Sequence, residues 1–221
     1  MENIVPGAVP LAAPYEYAVA GRGLAGERHS GDAALVCPID NGLLVAVIDG
    51  LGHGDEAAVA AKVAISTLRQ HAGQPVATLL KHCHEALRPT RGVAMALAVL
   101  EISSQSMVWS GVGNVEGVLI AAGHRRPRYR QYLTSRGGVV GYHLPGVRVS
   151  VVPIAPGDLL ILATDGIDDG FALDDFPNGA PRRMARSILD SHGKATDDAL
   201  VLVLRWLGRD AGPITGGAHE R

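Results

Sequence analysis

Most of this chain consists of short apolar segments bounded by glycine, proline, asparagine or aspartate. Of all its sequence features, this pattern constrains the fold most. Segments of this kind predict buried β-strands, since a strand needs only a few apolar residues and turn residues end it. Asn41-Gly42 predicts a hairpin turn because asparagine and glycine tolerate positive φ angles. Residues 103–106 and 156–158 predict two further tight turns, so antiparallel pairing is favoured. The predicted strands are 15–20, 32–38, 43–48, 93–102, 107–113, 117–122, 128–133, 147–153, 159–164 and 199–206.

Three longer segments predict helices. Residues 55–71 begin with two acids and carry apolar residues at helical spacing, 75–88 have proline in the first turn, and 181–192 end before Gly193. Hairpin-linked strands with a few inserted helices predict an α+β fold, in which antiparallel sheets stack and helices lie outside. We expect one domain over residues 15–206, an N-terminal extension at 1–14 and a C-terminal tail at 207–221.

Charge and composition exclude several classes of partner. The 22 acidic and 20 basic residues leave a net charge of −2, which gives no reason to expect nucleic acid or a membrane surface as partner. The apolar segments are far shorter than the roughly 20 residues that cross a bilayer. The glycines of residues 21–26 match GxGxxG, but a strand follows where a dinucleotide site needs a helix, so no nucleotide cofactor is expected. With only two cysteines we expect a reducing, cytoplasmic location.

One pattern of strand, acid and glycine occurs twice. LLVAVIDG ends at Asp49-Gly50, and LLILATDG ends at Asp165-Gly166. Two more acidic positions begin strands, Asp32 and the pair Asp197-Asp198. In an antiparallel sheet the end of one strand and the start of its neighbour share an edge, so these carboxylates are predicted to converge. Such a cluster repels itself unless cations compensate it, and oxygen ligands suit Mg²⁺ or Mn²⁺. The alternative is that each Asp-Gly only forms a turn.

Six motifs in order resemble the metal-dependent type 2C protein phosphatases, in particular the SpoIIE-like bacterial branch. The resemblance covers about residues 15–206 and implies a four-layer α/β/β/α sandwich. Stand-alone members of this branch that act in stress signalling are the most similar. The motifs are SGDAAL (30–35), VIDGLGHGDEAAVAA (47–61), RGVAMALAVLE (91–101), GVGNVEGVL (111–119), PGDLLILATDGI (156–167) and TDDALVLVL (196–204).

The resemblance also implies roles for single residues. Asp49 would bridge two Mn²⁺ or Mg²⁺ ions and be central to catalysis, with the Gly50 carbonyl binding one of them. Asp165 and Asp197 would hold the other ion, and Asp32 would support the Gly50 side directly or through water. Arg28 is the nearest match to an arginine that binds phosphate in some members. Leu200 departs from the family by standing where threonine is frequent.

The implied activity is hydrolysis of phosphoserine and phosphothreonine by a hydroxide that bridges the two ions. The implied partners are phosphorylated stressosome-type or anti-anti-sigma-type (STAS) proteins. Two alternatives stay open: a non-catalytic module that binds a partner with the same fold, and a phosphatase of small metabolites. The basic segment 124–136 is either a solvated edge strand or a docking face for an acidic phosphoprotein.

Overall fold

The computed structural model describes residues 13–123, 129–174 and 179–208. In these ranges the helices are α1 (Asp55–Gln70), α2 (Val76–Leu87) and α3 (Pro181–His192), with a short 3₁₀ helix at Asp169–Leu173. The strands are β1 (Tyr15–Arg22), β2 (Asp32–Ile39), β3 (Gly42–Gly50), β4 (Val93–Glu101), β5 (Ser106–Val112), β6 (Glu116–Ile120), β7 (Arg130–Leu133), β8 (Ser150–Pro153), β9 (Leu159–Ala163) and β10 (Ala199–Trp206).

The strands form two five-stranded sheets, and neighbouring strands in both are antiparallel. One sheet has the order β1-β10-β9-β6-β7 and the other β2-β3-β4-β5-β8. We call them the β10 sheet and the β3 sheet. The predicted α+β class is confirmed.

Alternation along the strands creates three apolar layers. In β3, Val45 and Val47 face the layer between the sheets, whereas Leu44 and Ile48 face α1 and α2. In β10, Leu202 belongs to the layer between the sheets, and its neighbours on either side pack with α3. Since side chains of a strand alternate in direction, near-continuous apolar strands are buried on both faces. The result is the predicted order of helices, sheet, sheet and helix.

The turn at residues 156–158 differs from the hairpin that its sequence predicts. The strands on either side of it, β8 and β9, lie in different sheets, with β8 paired to β5 and β9 paired to β6 and β10. Turn residues determine that the chain reverses locally, but the packing of the whole molecule decides which sheet the next strand joins. The 3₁₀ helix was also not predicted, and Asp168 caps it by accepting a hydrogen bond from the Gly170 amide.

Some predicted features fall outside the described residues. They are most of the N-terminal extension (1–12), most of the tail (209–221) and the first part of the basic segment (124–128). Among the residues that the structure describes, no helix has both the length and the apolar character needed to span a membrane.

Candidate metal centre

Asp32 and Asp49 face each other across neighbouring strands. They are register partners at one end of the strands of the β3 sheet, where β2 begins and β3 ends. We call such a row of strand ends an edge of the sheet. Asp49 follows Val45 and Val47 at two-residue spacing along β3, so its side chain is on the same face of the strand, which faces the other sheet. The pairing therefore directs two carboxylates toward the gap between the sheets.

Asp165 and Asp197 occupy the matching edge of the β10 sheet. Asp165 follows β9, Asp197 precedes β10, and these two strands are antiparallel neighbours. Asn114, in the turn between β5 and β6, donates a hydrogen bond to Asp165 Oδ2 at 2.5 Å. Lys194 Nζ donates to the Asp165 main-chain oxygen at 2.6 Å. Asp165 is therefore held in place by side chains from two other segments.

Thr164 connects the two edges, and the sequence analysis did not single it out. Its buried hydroxyl donates to Asp32 Oδ2 at 2.8 Å and accepts from the Leu200 amide at 2.9 Å. The first bond crosses from the β10 sheet to the β3 sheet. A signal was present in the sequence, because a polar Thr164 follows the apolar alternation of β9 on the side facing the other sheet.

Burial, together with the neighbouring carboxylates, raises the pKa of two of these groups. Burial raises the pKa of Asp49 from 3.8 to about 8, and the charges of Asp32, Asp165 and Asp197 contribute in the same direction. Burial also raises the pKa of Asp32 from 3.8 to about 7, although the Thr164 hydrogen bond opposes this shift. A hydrogen bond with Asp165 contributes least to raising the pKa of Asp49, and such a bond requires a proton on one of the two carboxyl groups.

The donor set fits a hard divalent cation. The converging groups are carboxylates, whose oxygens Mg²⁺ and Mn²⁺ prefer as ligands. Without a cation, the raised pKa values of Asp32 and Asp49 favour protonation of these two carboxyls near neutral pH. Across residues 13–123, 129–174 and 179–208, no three His, Cys, Asp or Glu side chains are already arranged as a complete set of ligands.

Close approach of the main chain explains the glycine after each acid. A Cβ on Gly50 would collide with the Ala57 carbonyl in α1, and a Cβ on Gly166 would collide with the Asp198 carbonyl. Gly50 therefore allows α1 to pack against the end of β3. In the β10 sheet, Gly166 brings the Asp165 turn against the start of β10.

Asp198 has a different position from its neighbour Asp197. It is 4% exposed, and its two oxygens accept hydrogen bonds from the Leu24 and Gly31 amides, each at 2.7 Å. These bonds fix both ends of the loop 24–31, which joins β1 to β2 and leads into Asp32. The sequence showed two adjacent acids but could not show which one turns inward.

The predicted residue Arg28 lies on this loop and is exposed. It lines a cavity of about 560 Å³ between the loop and the start of α1. Two crossed pairs hold the loop over that helix start. His53 Nδ1 contacts Glu27 Oε1 at 2.7 Å, and His29 Nδ1 contacts Asp55 Oδ1 at 2.8 Å. A second cavity of about 740 Å³ lies beside Asp165.

Solved structures share this architecture. One similar structure comes from a study of the bacterial stressosome as a modular system adapted to control secondary-messenger signalling. Its chain is 29% identical to this one, with a TM-score of 0.79, and the match covers 86% of this chain and 99% of that one. RsbX in complex with magnesium has a TM-score of 0.77 at 18% identity, covering 86% and 94%. The PP2C domain and regulatory fragment of SpoIIE from Bacillus subtilis has a TM-score of 0.68 at 20% identity, covering 86% and 62%. The fold is therefore that of PP2C-type phosphatase domains.

Sequence comparison identifies the family. The family described as Stage II sporulation protein E (SpoIIE) matches residues 39–207, so the chain belongs to it, as predicted. The phosphoserine phosphatase RsbX of Bacillus subtilis (strain 168) is 26% identical over 94 residues, which make up 42% of this chain and 47% of that protein. The chain thus matches about half the length of this curated relative.

Proposed function

We propose that this protein is a metal-dependent serine/threonine phosphatase. The observation that carries the proposal is the convergence of two carboxylate edges, Asp32 with Asp49 and Asp165 with Asp197, in a PP2C fold. Four neighbouring carboxylates destabilise the fold unless they bind cations. Cations bound there would be able to catalyse phosphate hydrolysis. A purely partner-binding module would gain nothing from such a cluster.

The residues have distinct roles in this proposal. Asp49 and the Gly50 carbonyl would hold one Mn²⁺ or Mg²⁺ ion, with Asp32 supporting that side, while Asp165 and Asp197 would hold a second ion that Asp49 shares. The ions, when bound, would supply an activated water and neutralise charge on the phosphoryl group. Thr164 orients Asp32, and Asn114 orients Asp165, so that neither carboxylate rotates out of the site.

The proposed substrates are phosphorylated stressosome-type or anti-anti-sigma-type proteins, met in a cytoplasmic setting. Support comes from the similarity to RsbX and to a chain studied as part of the bacterial stressosome. A cavity of about 740 Å³ beside Asp165 would receive the part of the substrate next to the phosphorylated residue.

A dephosphorylation assay with Mn²⁺ and a phosphorylated STAS-type protein tests the proposal. We expect a chelator to abolish turnover. We also expect Asp49→Asn and Asp165→Asn each to reduce the turnover rate by at least about a hundredfold, with an unchanged far-UV circular dichroism spectrum. The matched control is Asp190→Asn, which alters an exposed acid paired with Arg186 on α3.

Three results would oppose the proposal in different ways. Partner binding without turnover at any metal concentration would favour the non-catalytic module. Faster hydrolysis of sugar phosphates than of phosphoproteins would favour the metabolite phosphatase. Full activity of Asp49→Asn with Mn²⁺ would remove the assignment of the site.

A further inference from the structure

We propose that Arg91 forms a phosphate-binding subsite beside the metal centre and takes the phosphoryl group of the substrate or the released phosphate. The inference rests on the proposed phosphatase function. It concerns an arginine at the start of β4, outside the loop that carries Arg28.

The strand register places the main chain of Arg91 just beyond the strand end that carries Asp49 and Gly50. Gly50 at the end of β3 is the register partner of Val93 at the start of β4. One step further out, the Leu51 amide donates to the Gly92 carbonyl at 3.1 Å. Arg91 and Gly52 are therefore opposite each other where both strands leave the sheet, immediately beyond Asp49 and Gly50.

The guanidinium lies directly over Gly52. A Cβ on Gly52 would be 2.8 Å from Arg91 Nη1, and φ at Gly52 is +84°, which favours glycine. Any larger residue at position 52 would therefore push the guanidinium away from this position. The planar guanidinium offers a fork of N–H donors, which matches phosphate oxygens in pairs.

The present partner of Arg91 is easily exchanged. Arg91 Nε pairs with Glu56 in the first turn of α1, and the two side chains are 53% and 67% exposed. An ion pair this exposed stabilises the fold very little, because water and salt screen it. A phosphoryl group carries more charge than a carboxylate, so it can take the place of Glu56 at small cost.

The surroundings leave Arg91 as a donor that can reach an incoming anion. Arg91 and Arg28 line the same cavity of about 560 Å³, together with Glu27, Asp55 and Glu56. Glu27 and Asp55 already have the histidine partners His53 and His29. Glu56 is the acid of the cavity that pairs with Arg91, so removing it frees the guanidinium.

Two variants that break the same ion pair separate binding from structure. Arg91→Ala removes the proposed donor, and Glu56→Gln releases it. Arg88→Ala is the matched control, because Arg88 is an exposed arginine three residues away that pairs with Glu85 at 3.0 Å. For each protein we would measure KM for a phosphopeptide, the inhibition constant of inorganic phosphate in Mn²⁺, and the melting temperature.

We expect Arg91→Ala to raise KM and the phosphate inhibition constant by about tenfold, the loss typical of one charge-assisted contact. We expect Glu56→Gln to lower both constants by about twofold to threefold, and Arg88→Ala to leave both unchanged. Arg91→Lys should fall between wild type and alanine, because lysine keeps the charge without the fork.

Equal effects of Arg91→Ala and Glu56→Gln on both constants would overturn the inference, since the pair would then serve only the fold. Unchanged phosphate inhibition in an active Arg91→Ala enzyme would overturn it as well. Absence of Mn²⁺-dependent turnover in the wild type would instead remove the proposed function on which the inference rests.

Discussion

Asp49 and Asp32 lie at positions that disfavour the charged form of their carboxyl groups. Asp49 has a pKa raised to about 8 and Asp32 one raised to about 7, in both cases mainly by burial. A carboxyl whose pKa is higher in the folded state binds protons more tightly there than in the unfolded chain. Stability from such a group is present at low pH and is lost as the pH rises from the unfolded pKa to the folded one.

For the metal-free protein we therefore expect the free energy of unfolding to fall between about pH 4 and about pH 8 and to level off above. Asp49→Asn cannot ionise, so it should be more stable than wild type at about pH 8 by at least about 1 kcal/mol, given about 1.4 kcal/mol per pKa unit. Urea unfolding in chelator at several pH values would measure this. Identical pH profiles for the two proteins would contradict it.

Asp197 and Asp198 are adjacent in the sequence but have different roles. Asp197 lies at the sheet edge with the proposed ligands, whereas Asp198 is buried and holds the loop 24–31. Their adjacent places in the sequence therefore serve two different parts of the site.

Among the elements of the fold, the loop 24–31 is held by Asp198, the residue just before β10. Since Asp198 accepts from the amides at both ends of the loop, Asp198→Ala should expose the Leu24 and Gly31 amides to exchange and cost about 1–3 kcal/mol. Hydrogen exchange followed by NMR would report the two amides individually.

Asp197→Asn is the informative comparison for that experiment. It should weaken metal-dependent activity while the Leu24 and Gly31 amides keep their protection. If Asp198→Ala left both amides protected, the proposed support of the loop by Asp198 would be wrong.

For the molecule as a whole, two sheets from distant parts of the chain meet at one site. Asp32 and Thr164 are 132 positions apart and share a hydrogen bond of 2.8 Å. A cation held by carboxylates of both sheets would tie them together in the folded state only. Ligands that bind only the folded state raise its stability in proportion to the logarithm of their concentration.

We therefore expect Mg²⁺ or Mn²⁺ to raise the melting temperature by several degrees at concentrations well above the dissociation constant, and EDTA to reverse the rise. Differential scanning calorimetry with increasing metal would measure it. Asp165→Asn should lose most of the increase, while Asp190→Asn should keep it. A melting temperature that does not depend on metal would count against a cation site that spans the sheets.

Local patterns in the sequence were sufficient to predict the strands and the three α-helices of this fold. Apolar alternation and turn residues predicted the strands and helices to within a few residues, because burial on a two-residue or 3.6-residue period leaves a direct mark on the sequence. The repeated Asp-Gly at strand ends predicted where the acidic edge would form. The family followed from motifs in a fixed order, which the match over residues 39–207 confirms.

Only the tertiary structure decided which groups meet. It placed β8 and β9 in different sheets despite a tight turn between them, and it turned Asp198 rather than Asp197 inward. It also joined Thr164 to Asp32 and set Arg91 over Gly52, contacts between residues far apart in the chain. A sequence records the period of each element, whereas long-range contacts depend on how the sheets pack, which no local pattern specifies.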